Sequence, residues 1–155
     1  MKTHHYQTFL EWTGNRGEGT LDYRSYSRDH ITTLEGKTHS ILCSSDSSFR
    51  GDPARFNPEE LFLASISNCH MLWYLHLCSV NDVIILEYVD KATGVMQEDR
   101  NGSGRFTEVT LHPQVKVKDL QIIKRANDLH EEANRMCFIA NSCNFKITHK
   151  PTIEV

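Results

Sequence analysis

The sequence has no run of Lys and Arg, no apolar stretch long enough to span a bilayer, no internal repeat and no low-complexity segment. Each absence removes a class. Without a basic run, and with a formal net charge of −3 and a pI near 6.3, a nucleic-acid partner is not expected. The longest apolar region is interrupted by Asn68, His70 and His76, so no membrane span and no membrane partner are expected. Met1–His5 (MKTHH) does not lead into an apolar h-region, so nothing marks secretion and the expected location is the cytoplasm. There thiols stay reduced, and the five cysteines point to redox chemistry, a metal or core packing before structural disulfides. The odd count leaves at least one unpaired. At 155 residues the chain is expected to be a single domain over 1–155 with a real core.

What is present is organised around Asn57–Cys78, NPEELFLASISNCHMLWYLHLC. Asn57 as cap, Pro58 at the first helical position and Glu59 and Glu60 in the first turn form a helix-start signal. Glu60 follows Asn57 at capping-box spacing. The apolar residues that follow lie nearly all round the helix, which predicts a buried helix. Before it, Tyr6–Thr13 and Thr20–Tyr26 read as one strand pair, and Ile31–Leu34 and Thr38–Ser44 as a second. Ser44–Phe56 reads as a loop carrying Arg50 and Arg55. After the helix, Val83–Val89 continuing to Met96, and Phe106–Val117 interrupted at Pro113, read as an antiparallel pair. Asp119 caps a second helix with one wet face, and Cys137–Ser142 lies at or just past its end. Asn144–Ile147 and Thr152–Val155 close the chain as strand. This pattern predicts an α+β domain.

Two cysteines stand out by position. Cys69 lies midway along the central helix, with Phe62, Ile66, Leu72, Trp73 and His76 as same-side neighbours. Cys137 lies at an element boundary. Cys78 is half a turn out of phase with Cys69, so those two cannot pair within a straight helix. Spacing leaves Cys43, Cys137 and Cys143 open as partners. An ordinary cysteine is only about 3% thiolate at pH 7. Cys69 also sits too far along the helix for its dipole to help. A cation must come from elsewhere, and Arg24, Arg28, Arg50 and Arg55 are the candidates. No metal motif such as HExxH is present, and neither a metal nor an organic cofactor is expected.

From roughly Thr20 to its end the chain resembles the OsmC/Ohr family of thiol-dependent hydroperoxide reductases, and most closely its OsmC-like branch. The resemblance is carried by TLDYRSYSRDH, SSDSSFRGDPARF, NPEELFLASISNCHMLWYLHLC and MCFIANS. It implies an OsmC-like fold, with antiparallel sheets packed around a buried central helix in an intertwined homodimer. It also implies a peroxiredoxin-like activity toward organic hydroperoxides, without metal or cofactor. Cys69 matches the peroxidatic cysteine that becomes sulfenic acid, and Cys137 the resolving cysteine that then forms a disulfide with it. Arg28 matches the arginine that holds the thiolate, and Glu59 the carboxylate that orients it. Glu59 and Cys69 are about 15 Å apart along one helix, so a bridging arginine or a subunit boundary must join them. Phe138 stands where Ohr-type members carry proline, which leaves the thiol reductant open among a dihydrolipoyl protein, thioredoxin and a small thiol. The rival expectation is a non-catalytic OsmC-like module that binds a small acyl or aromatic ligand in the same apolar crevice.

Overall fold

The computed structural model describes all 155 residues, Met1–Val155. They form two compact units, Met1–Leu61 and Phe62–Val155.

In the first unit, strands β1 (Phe9–Trp12), β2 (His30–Thr33) and β3 (Ile41–Cys43) make an antiparallel sheet in that order. The strand expected over Thr20–Tyr26 does not form, and β1 pairs with β2 instead, Phe9 opposite Thr33 and Trp12 opposite His30. The cause is local. The Asp22 carboxylate accepts from the N–H groups of Arg24 and Ser25, and this turn competes with a sheet ladder for the same donors. The excursion is closed by Ser27, whose N–H donates to the Gly14 carbonyl at 2.9 Å while its own carbonyl accepts from Trp12 Nε1 at 2.8 Å. Gly14 is required there, since a Cβ would lie 2.0 Å from the Ser27 carbonyl oxygen. In the loop after β3, the buried Ser44 hydroxyl donates to Asp29 at 3.1 Å and accepts from the Asp52 N–H at 3.1 Å.

Helix α1 (Pro58–Val80) starts where the cap signal places it. Asn57 Oδ1 accepts from the Glu60 N–H at 2.8 Å, and Glu60 Oε2 accepts from the Asn57 N–H at 3.1 Å. Its buried residues, Ile66, His70, Tyr74, Leu77 and Cys78, form one stripe. The expectation of burial all round is corrected on the other side, where Leu72 is 63% exposed.

The second unit holds two three-stranded sheets. In one, β4 (Ile85–Asp90) pairs antiparallel with β7 (Pro113–Val117), and β9 (Thr152–Glu154) adds parallel to β7. In the other, β5 (Thr93–Glu98) and β6 (Gly104–Leu111) form an antiparallel hairpin, and β8 (Ile147–His149) adds parallel to β6. The sheets are therefore mixed, where antiparallel sheets were expected. Strand β8 is reached through a helical crossover, a connection long enough to permit parallel pairing. The break between β6 and β7 falls at His112, whose N–H donates to Asp90 at 2.7 Å, and Pro113 takes the first position of β7. Asp119 caps a short 3₁₀ turn through the Gln121 N–H before α2 (Ile123–Met136), and α3 (Phe138–Asn141) follows Cys137 directly.

Two apolar clusters hold this unit. Tyr74, Leu77 and Cys78 of α1 pack with Val115 and Val117 of β7 and Ala126, Leu129 and Ala133 of α2. Ile66 packs with Val109, Leu111 and Ile147. No helix is long and apolar enough to cross a membrane.

Candidate active site

Cys69 projects from the middle of α1 and is half-buried, whereas Cys137 ends α2 and is 1% exposed. Both are free thiols, and Cys69 is the neighbouring thiol that acts on Cys137. Burial, followed by the neighbouring Cys69, pushes the Cys137 thiol up to about 12. Cys137 therefore favours its protonated form. Its Sγ also caps α3, accepting from the Ala140 N–H at 3.4 Å, because extended backbone at Cys137 separates the two helices. Of the partners that spacing leaves open for Cys69, the fold brings Cys137 against it.

The other thiols serve packing. Cys78 is buried on the opposite side of α1, one turn from Tyr74, and burial pushes it up to about 11. Cys143 donates to the Ile139 carbonyl at 3.2 Å, and Cys43 is buried in the first unit, donating to the Ile41 carbonyl at 3.5 Å.

Beyond Cys69 on the same side of α1, Leu72, Trp73 and His76 line an open apolar cavity of about 300 Å³. Phe138, 64% exposed, meets the Trp73 ring edge-on at 5.6 Å, and His76 meets it at 5.8 Å. An aromatic surface thus lies one residue from Cys137 and four from Cys69 along the chain. No three His, Cys, Asp or Glu side chains are arranged to hold a metal ion.

Arg28 and Glu59 belong to the first unit. The Arg28 guanidinium lies 4.1 Å from the Tyr23 ring and 4.2 Å from the Tyr26 ring, and donates to the carbonyls of both residues at 2.8 Å. Stacking between two rings holds a planar cation in place. Glu59 is half-buried in the first turn of α1. Among the other candidate arginines, Arg55 faces Asp29 at 3.8 Å and Asp52 at 3.5 Å.

Sequence reasoning missed a cluster of imidazoles in the second unit. His70 and His130 are buried and hydrogen-bonded, with His149 beside both and the Tyr74 ring stacked on His130 at 3.8 Å. The available signal is the helical spacing of Ile66, His70 and Tyr74, which puts His70 on the buried stripe.

The matched family model is that of OsmC-like protein, over residues 51–152. The chain belongs to the OsmC/Ohr family. An OsmC-like protein of unknown function from Vibrio cholerae is 28% identical and superimposes with a TM-score of 0.85, covering 97% of this chain and 100% of that one. An organic hydroperoxide resistance protein from Elizabethkingia anophelis is similar in fold at 22% identity and a TM-score of 0.68, covering 99% of each chain. The organic hydroperoxide resistance protein OhrB of Bacillus subtilis shares the fold at 17% identity and a TM-score of 0.64, covering 97% of this chain and 98% of that one. No curated protein matches the chain.

Proposed function

We propose that this protein reduces organic hydroperoxides through Cys69 and Cys137, as a homodimer in the cytoplasm and at the expense of a thiol reductant. One observation carries the reading: two free, neighbouring thiols of unequal exposure, with burial favouring the protonated form of the inner one. The more exposed Cys69 is the nucleophile. Its thiolate attacks the terminal peroxide oxygen, the O–O bond breaks, and the alkoxide takes a proton and leaves as the alcohol. Cys69 is then a sulfenic acid, oxidised by two electrons. Cys137 attacks that sulfur, gives up its thiol proton, and water leaves as the Cys69–Cys137 disulfide forms. Starting from one thiolate and one thiol, the sequence consumes one hydroperoxide and one proton and yields alcohol and water. A dihydrolipoyl protein, thioredoxin or a small thiol then returns both cysteines to thiols.

Arg28 is assigned to hold the Cys69 thiolate and Glu59 to orient that arginine, in an intertwined dimer with its sites at the subunit boundary. The pairing of aromatic rings around Arg28 supports the assignment, since a cation held in one place favours an anion without a further ordering cost. A second reading, a binding module without turnover, is favoured by the open cavity at Leu72, Trp73 and His76, which receives an apolar ligand whatever the redox state.

Mass spectrometry before and after one equivalent of cumene hydroperoxide separates the two. The expected result is loss of two hydrogens and a Cys69–Cys137 link in the non-reducing peptide map. Cys69 recovered as a free thiol rejects the peroxidase. In Cys137→Ser, Cys69 reacts once and accumulates as sulfenic or sulfinic acid; full turnover in that variant makes another thiol the resolving one.

A further inference from the structure

We propose that the cleft between the last turns of α2 and strand β8 binds a small ligand carrying two carboxylates and one ammonium group. The cleft measures about 570 Å³ and is lined by Glu131, Asn134 and Arg135 of α2 and by Lys146, Thr148 and His149 at the β8 edge. That volume falls within the range of small-ligand sites, ~300–1,000 Å³. Three permanent charges line it, two positive and one negative. The two cations are not paired within the chain, whose ion pairs involve Arg55, Lys116 and Lys124 and neither Arg135 nor Lys146.

The Thr148 hydroxyl is already engaged with Thr110 at 2.8 Å, so recognition falls to the charged groups and Asn134. Arg135 and Lys146 suit two carboxylates, the guanidinium as a fork and the ammonium as a point charge. Glu131 would oppose a simple dianion and suits the ammonium. The charge pattern is thus the complement of a γ-glutamyl tripeptide, and the inference holds whether or not Cys69 reacts with peroxides.

Isothermal titration of the full chain with S-methylglutathione tests it, the methyl group removing any thiol chemistry with Cys69 or Cys137. One site per chain is expected, with amide shifts confined to residues 131–149 in a heteronuclear NMR spectrum. Arg135→Gln and Lys146→Gln should each weaken binding about tenfold, one charge-assisted contact apiece. Both residues are exposed, and an unchanged NMR spectrum elsewhere shows that the variants fold. Glu131→Gln should weaken S-methylglutathione and not succinate, which lacks the ammonium. No shift at millimolar ligand overturns the proposal. So does binding indifferent to all three substitutions, or succinate binding as tightly as the tripeptide derivative.

Discussion

His70 Nε2 lies 3.0 Å from His130 Nδ1, and the two ring planes are 5° from parallel in the core of the second unit. One nitrogen donates and the other accepts, so at least one imidazole must be neutral, and His70 Nδ1 and His130 Nε2 have no partner that would favour a second proton. Burial holds His70 down to about 4, with His149 adding to it, and burial followed by His70 and His149 holds His130 down to about 3. The groups facing them are Tyr74 of α1, Glu131 of α2, His149 of β8 and, beyond Tyr74, Tyr88 of β4. Only Glu131 is a charge of the sign that would favour protonation, and it acts on His149.

Acid should therefore unfold the protein through this pair. Both folded-state values lie below the unfolded value of 6.5, so the unfolded chain binds protons first. The stabilisation is complete above pH 6.5 and is lost as pH falls from there toward 4 and 3. Each histidine removes about 1.4 kcal/mol per pH unit within its window. Urea midpoints measured at half-unit steps of pH give the slope. His130→Phe keeps a ring against Tyr74 and should roughly halve that slope. An unchanged slope would place the acid sensitivity in carboxylates instead.

Asn57→Ala should cost about 1 kcal/mol by removing the acceptor for the Glu60 N–H and loosening the reciprocal bond to its own N–H. Chemical denaturation measures it. Asn57→Ser should recover most of the loss, because a hydroxyl can still accept at that position. If Ser and Ala behave alike, the cap is carried by the backbone alone.

The start of α1 was legible because Asn57, Pro58 and Glu60 act on donors within one turn of themselves. Local chemistry also explains the miss at Thr20–Tyr26: Asp22 and Ser25 can form a turn or sit in a strand, and alternation alone does not choose. The parallel additions of β8 and β9 depend on where a chain returns after α2, which no local pattern encodes. Within the site, spacing excluded Cys78 and left three partners for Cys69. The resemblance selected Cys137, and the fold places it there. The histidine cluster was out of reach because His70 meets its partners 60 and more positions further along the chain, and only His70 carried a periodic hint of burial.

Arg28→Ala should slow alkylation of Cys69 at pH 7 by about tenfold, the effect of removing ~1.4 kcal/mol of thiolate stabilisation. Arg28→Lys should recover only part, since an ammonium cannot stack between Tyr23 and Tyr26 as a guanidinium does. Iodoacetamide rates with peptide-level detection report Cys69 separately from the four other thiols. If Arg55→Ala slows alkylation and Arg28→Ala does not, the activating cation is Arg55.

Trp73→Ala should lower the preference for bulky hydroperoxides over hydrogen peroxide. The Trp73 ring lines the apolar cavity beyond Cys69 and is met edge-on by Phe138 and His76. An apolar leaving group resting there removes surface from water, and each buried CH₂ contributes about 0.8 kcal/mol, so a few carbons give ~10²-fold selectivity. Hydrogen peroxide has no such group and gains nothing from the wall. The second-order rate constants for Cys69 oxidation by cumene hydroperoxide and by hydrogen peroxide should therefore differ widely in the unmodified protein. In Trp73→Ala they should draw closer, with the change confined to cumene hydroperoxide. A matching fall in both rates would mean that the substitution disturbs the thiol pair, and Phe138→Ala, which leaves α1 intact, then decides. If neither variant moves the ratio, the aromatic surface plays no part in substrate choice and is free to cover something else.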